Sequence, residues 1–187
     1  MYHISNDKRS QRSAELIWQG MEQCLREKPF DKLRISDINQ KSYVSRATFY
    51  RLFDTPRDVL AYECDQIYRQ LAAALEGTAI RSRREFFLLL VEKWMAQDVL
   101  IRTLVENNLT GIIYETHMKN REFMKAVFLP DAAVSEGDAD YMAALLANII
   151  PAAMHAWYLH GRIESPDEVF GSVSRGLRFI SQQLLPE

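Results

Sequence analysis

The stretch richest in usable chemistry is VSRATFYRLF, residues Val44 to Phe53. It gathers two guanidiniums (Arg46, Arg51), a methyl-bearing hydroxyl (Thr48), a phenol (Tyr50) and a bare methyl (Ala47). Guanidiniums, hydroxyls and phenols hydrogen-bond phosphates and base edges, and small methyl-bearing side chains pack on thymine methyl groups. Phe49, Leu52 and Phe53 recur at helical spacing and are read as the buried face of a short helix, which turns Arg46, Ala47, Thr48, Tyr50 and Arg51 outward. Ser45 is a natural N-cap for it. A helix over Ser45–Leu52 would be about 12 Å long, close to the roughly 12 Å width of a DNA major groove.

No competing constellation for catalysis stands beside it. The chain has no Gly-rich phosphate loop, no GxSxG elbow, no HExxH and no CxxC, and His117, His155 and His160 lack partners at ligand spacing. We therefore expect no enzyme, no metal and no cofactor. Cys24 and Cys64 lie in helix-like stretches and are too few for a disulfide scaffold, so they are read as buried thiols of a reducing compartment. Met1 to Ser13 is polar and lacks the apolar core of a signal peptide, which points to the cytoplasm.

The elements that must hold the VSRATFYRLF segment are helical. Ile35 and Ile38 suit a short helix ending near Ser42, and Ser42-Tyr43-Val44 then joins it to the next, forming a helix-turn-helix. A first helix from about Ser10 to Glu27 carries the stripe Ile17, Met21, Cys24 and Leu25, and a fourth carries Leu60, Ile67, Leu71 and Leu75 before Gly77. Thr55-Pro56-Arg57-Asp58, Ser82-Arg83-Arg84-Glu85 and Ser165-Pro166-Asp167-Glu168 each place a hydroxyl and, three residues on, a carboxylate at a helix start. Pro130 to Asp140 is small, polar and acidic and reads as the main loop. No alternating strand pattern occurs. The expectation is an all-α chain of about nine helices: a three-helix helix-turn-helix domain over residues 1–54 and a helical effector-binding and dimerisation domain over 55–187.

Composition agrees with a folded protein, at 48% apolar and 26% charged residues in 187. A net charge of −2 argues against a protein that coats nucleic acid over its whole surface. Residues 1–60, however, hold eleven Lys and Arg against eight Asp and Glu, a balance of +3, while the remainder stands at −5. A positive head on an acidic body fits a DNA-reading module tied to a domain with another task.

The segment from about Ser13 to Leu60 resembles the N-terminal DNA-binding domain of the tetracycline-repressor (TetR) family of transcriptional regulators. The likeness is carried by EKPFDKLRISDI, then VSRATFYRLF, then TPRDVL, and covers about the first third of the chain. It implies a recognition helix over Ser45–Leu52, with Arg46 and Thr48 at base and phosphate contacts, Tyr50 on a phosphate, and Phe49 and Phe53 in the small core. It places Arg34 and Ser36 at the start of the helix that faces the DNA backbone. The candidate DNA-binding set is thus Arg34, Ser36, Ser45, Arg46, Ala47, Thr48, Tyr50, Arg51, Thr55 and Arg57. Three positions depart from the family pattern. Arg34 stands where Thr is usual, leaving Asp37 to answer the helix end through charge alone. Tyr43 replaces the common Gly or Asn of the turn, a place that often wants a left-handed backbone. Pro56 takes the place of a phosphate-contacting Lys, with Arg57 as the candidate substitute.

In the rest of the chain, Phe170, Val173, Leu177, Ile180 and Leu184 are spaced as an a/d seam. They follow a long apolar helix from about Asp138 to His160, whose stretch Tyr141–His160 reads as a buried helix at a subunit interface rather than a membrane span. Two such helices in each of two copies make an isologous four-helix interface, so a homodimer is expected. Two heads then read a palindrome in double-stranded operator DNA. The resemblance implies a small-molecule effector bound in the body, and Trp94, Met95, Tyr114, His117, Met118, Phe123 and Trp157 supply aromatic, sulfur and polar groups for such a pocket. The reading is a repressor released from its operator by that effector. The alternative is a helical small-molecule sensor with a vestigial DNA-binding head, for which Tyr43 and Pro56 are the signs.

Overall fold

A computed structural model describes residues 2–5, 7–77, 82–128 and 135–184, and among these every regular element is helical. The order is α1 (Lys8–Glu27), a 3-10 turn (Phe30–Lys32), α2 (Ile35–Ser42), α3 (Arg46–Leu52), α4 (Pro56–Gly77), α5 (Arg83–Met95), α6 (Asp98–Glu106), α7 (Gly111–Lys119), α8 (Arg121–Phe128), α9 (Glu136–Leu159) and α10 (Pro166–Leu184). The all-α class read from the sequence holds, with ten α-helices in the described residues where about nine were expected.

Local chemistry sets most boundaries. Asp7 accepts from the Ser10 amide at 2.8 Å, so α1 begins slightly before the expected Ser10. At α4 the Thr55 amide donates to Asp58 at 2.8 Å, and at α10 the Ser165 amide donates to Glu168 at 2.7 Å. The Ser82 hydroxyl accepts from the Glu85 amide at 3.2 Å to open α5. The expected loop over Pro130–Asp140 needs correction at its end: Ser135 caps α9, whose helix already includes Glu136 to Asp140. Carboxylates there face the positive helix end, which is why an acidic stretch is helical. Residues 130–134 lie outside the described residues.

The chain divides into two compact units: Met1–Ile67 with Asp98–Ile112, and Tyr68–Gln97 with Ile113–Glu187. The division falls inside α4. In the first unit Ala14, Ile17, Met21, Ile38, Phe49, Leu52, Phe53, Val59 and Leu60 form a closed core. Phe53 meets Phe49 and Tyr62 at 5.8 and 5.7 Å between ring centres. Helix α6, remote in sequence, belongs here: the Arg102 guanidinium donates to the Leu25 carbonyl at 2.7 Å, near the end of α1. In the second unit α5 packs on α10 through Phe87 against Phe170, and Arg84 pairs with Asp167 at 2.7 Å. Lys125 of α8 reaches Asp140 of α9 at 2.6 Å.

Candidate functional site

The helix-turn-helix begins with a close approach. A Cβ at Gly20 of α1 would fall 2.7 Å from both the Cβ and the backbone nitrogen of Ser42, so α2 can lie this near α1 only because residue 20 is glycine. Nothing in the sequence pattern singled Gly20 out, since it sits inside a good helical stripe. Ser42 is buried and ends α2. Tyr43 then adopts the left-handed conformation, φ 56° and ψ 19°. The turn is tied down by the Asn39 side-chain amide, which donates to the Val44 carbonyl at 2.6 Å, and by the Val44 amide, which donates to the Ser42 hydroxyl at 3.2 Å.

Helix α3 follows with Ser45 as its cap, accepting from the Thr48 amide at 3.1 Å while its hydroxyl meets that of Thr48 at 3.0 Å. Phe49 and Leu52 point into the core, and Arg46, Ala47, Tyr50 and Arg51 are exposed. Thr48 is half-buried beside its cap. The Arg46 guanidinium lies 5.5 Å from the centre of the Tyr50 ring, so a cation and a phenol form one outward ridge. Among the described residues neither Arg46 nor Arg51 is held in an ion pair, whereas Lys28, Lys41, Arg12 and Arg26 pair with Asp37, Glu27, Glu15 and Glu22.

The N-terminal segment reaches the far end of α3. The His3 amide donates to the Leu52 carbonyl at 2.8 Å, Tyr2 bridges to Phe53, and the Tyr2 ring meets Tyr62 edge-on at 5.7 Å. An otherwise orphan helix carbonyl is thereby satisfied. In the sequence this contact is marked only by an aromatic in a polar stretch.

Arg34 and Ser36 are exposed at the start of α2. The expectation that Asp37 acts by charge alone is corrected: its carboxylate accepts from the Arg34 amide at 2.9 Å and from Lys28 at 2.9 Å. Lys28, then the Arg34 amide, hold the Asp37 carboxyl below its usual range. Thr55 caps α4 through Asp58, and Arg57 is exposed beside it. Half-buried on α4, Glu63 faces Glu22 and Glu15 of α1; burial first, then these like charges, push its carboxyl up to about 7.

In the second unit two of the candidate pocket residues are brought together. Trp94 and His117 are buried with nearly parallel rings, 14° apart in tilt and 6.5 Å between centres, and Tyr68 meets His117 edge-on at 5.1 Å. His117 Nδ1 lies 2.9 Å from the Ile113 carbonyl, which assigns the proton to Nδ1 and leaves Nε2 as an acceptor. Neither His117 Nε2 nor Trp94 Nε1 has a hydrogen-bond partner. Burial lowers the imidazole to about 4, so it is neutral at pH 7. Trp157 instead donates to the Glu164 carbonyl at 3.2 Å, and Phe123 packs on Phe86. Met95, Tyr114 and Met118 are half-buried. The grooves of this unit have other walls: one of about 250 Å³ runs past Phe87, Phe128, Ile149 and Phe170, and one of about 390 Å³ past Leu145, Ile149, Ala152, Leu177 and Ile180. Of the seam, Phe170 and Val173 are half-buried and Leu177 and Ile180 exposed; the Leu184 side chain lies outside the described residues. Among the described residues no three His, Cys, Asp or Glu side chains are gathered as a metal would require. Helix α9 is by length and composition the one described helix that could cross a membrane.

No protein-family model and no curated protein matches the chain. Among solved structures, Lin0861 from Listeria innocua superposes with a TM-score of 0.73 at 16% identity, covering 95% of this chain and 96% of its own. The two share a fold. A TetR family transcriptional regulator from Chloroflexus aurantiacus, also 16% identical, covers 95% of this chain and 86% of its own with a TM-score of 0.35, a superposition too loose to show a common fold.

Proposed function

We propose that this chain is a cytoplasmic transcriptional repressor of the TetR kind, which binds a palindromic operator as a homodimer and is released by a small-molecule effector. The observation that carries the reading is the outer ridge of α3, where Arg46, Tyr50 and Arg51 stand exposed on a helix whose other face is locked into the core by Phe49 and Leu52. A short rigid helix presenting unpaired cations and a phenol is suited to a major groove and its flanking phosphates. Ser45, Ala47, Thr48, Arg34, Ser36, Thr55 and Arg57 complete the proposed contact surface.

Dimerisation is supported by what α9 and α10 leave in water. Leu145, Leu177 and Ile180 are 70%, 48% and 53% exposed along one groove of the second unit, an apolar face that a second copy would cover. A two-fold pair supplies the second head a palindrome needs. The unpartnered Trp94 N–H and His117 Nε2 support an effector site at their buried stack, because buried polar groups in native proteins are normally satisfied. An effector acts by preferring the form whose heads are misplaced for DNA.

Selection from random-sequence duplex DNA tests the reading. The wild-type chain should enrich a palindrome, with steep salt dependence, and Tyr50→Ala should lower affinity for it by about ten- to a hundredfold. A chain that enriches nothing is the sensor with a vestigial head.

A further inference from the structure

We propose that Tyr43, in the turn before the recognition helix, is a DNA-backbone contact of this chain: its phenol hydrogen-bonds a phosphate beside the groove that α3 enters. The inference rests on the DNA-binding reading above and adds a residue outside the set α3 supplies.

Three observations carry it. Tyr43 sits at φ 56°, in the left-handed region that bulky residues avoid. The other positive-φ positions among the described non-glycine residues are Asn108, a type that tolerates this region, and Arg162 directly after Gly161. An aromatic residue stands here although glycine or asparagine would adopt the same backbone with less strain. Second, the conformation is not traded for packing: the side chain is 96% exposed. Third, the backbone is held on both sides of Tyr43, because Ser42 packs directly on Gly20 and Val44 is hydrogen-bonded through its amide to Ser42 and through its carbonyl to Asn39. A strained residue that the surroundings hold in place, while its side chain stands almost wholly in solvent, points to a partner outside the chain.

Position names that partner. Tyr43 lies two residues before Ser45, the cap of α3, and in helix-turn-helix docking the N-terminal end of the second helix enters the major groove. The turn therefore lies at the groove wall, where tyrosine hydroxyls bond phosphate oxygens. The sign that first suggested a vestigial head becomes, in this geometry, part of the reading surface.

Affinities of four chains, wild type, Tyr43→Gly, Tyr43→Asn and Tyr43→Phe, are measured on the duplex enriched by wild type and on an unrelated duplex, with melting temperatures alongside. Tyr43→Gly and Tyr43→Asn should melt at or above wild type yet bind both duplexes about tenfold more weakly, and Tyr43→Phe should lose about fivefold. Selection repeated with Tyr43→Gly should return the wild-type consensus, since a backbone contact carries no sequence information. Binding by Tyr43→Gly within twofold of wild type, a lowered melting temperature, an unimpaired Tyr43→Phe, or a changed consensus would each overturn the proposal while leaving the DNA-binding reading in place. If the wild type enriches no duplex, both fall together.

Discussion

The two compact units treat amphipathic helices in opposite ways. In the first, α3 turns Phe49 and Leu52 inward and leaves cations and a phenol in water. In the second, α10 buries Val169 and half-buries Phe170 while Leu177, Phe179 and Ile180 stand exposed. The first unit is closed within one chain and its outer face is polar; the second has apolar surface left over. In the function proposed above, the polar outer face meets DNA and the apolar one a second copy of the chain.

The sharpest way to break this contrast is Leu177→Asp with Ile180→Asp. Placing charges on the proposed interface should weaken self-association roughly a thousandfold, about 4 kcal/mol, leaving a helical monomer by sedimentation and circular dichroism. A dimer that persists would mean the exposed seam is not its interface. In the first unit the cost should fall on folding instead: Phe53→Ala empties a fully buried aromatic site and should cost about 3–5 kcal/mol in urea unfolding.

One buried group in each unit should respond to pH with opposite sign. His117 in the second unit is held near 4, below the 6.5 of a free imidazole. Between these values the unfolded state binds more protons, so stability is full above pH 6.5 and is lost as pH falls, by roughly 3 kcal/mol. His117→Phe should flatten that dependence in unfolding at pH 7 and pH 4.5. Glu63 in the first unit is raised to about 7 from 4.5, so the native state binds more protons and stability is lost as pH rises through 7. Partial solvent access reduces this to roughly 1–2 kcal/mol. Glu63→Gln should abolish the loss, measured by hydrogen exchange of the first unit's amides at pH 5 and 8. The smallest effect expected is Ser45→Ala, which removes the acceptor for the Thr48 amide and should cost about 1 kcal/mol. A larger loss would make the cap a constraint on the whole reading head.

Much of the candidate DNA interface was legible because its determinants are local. The alternation of Phe49, Leu52 and Phe53 with Arg46, Tyr50 and Arg51 assigns faces within two helical turns, and Ser45 marks the start. The left-handed turn at Tyr43 was foreseen from the residue's place, but its full exposure and rigid seat were not. The effector candidates were less legible, since an aromatic at helical spacing looks the same in a core and in a pocket; only the meeting of Trp94 on α5 with His117 on α7 separates this pair from Trp157, which is satisfied by Glu164.

The sequence by itself determined the all-α class, the helix starts at Ser45, Thr55, Ser82 and Ser165, the split between a basic head and an acidic body, and the polar ridge of α3. These depend on interactions among residues within about four positions of one another, or on charge alone. The tertiary structure decided that α6 belongs with the first unit through Arg102 and Leu25, that His3 and Tyr2 close the end of α3, that Gly20 admits Ser42, and that Trp94 and His117 share a buried stack. Each of these joins groups separated by 22 to 77 positions. Which distant side chains meet is fixed by how helices pack, and periodicity along one helix carries no record of its neighbour.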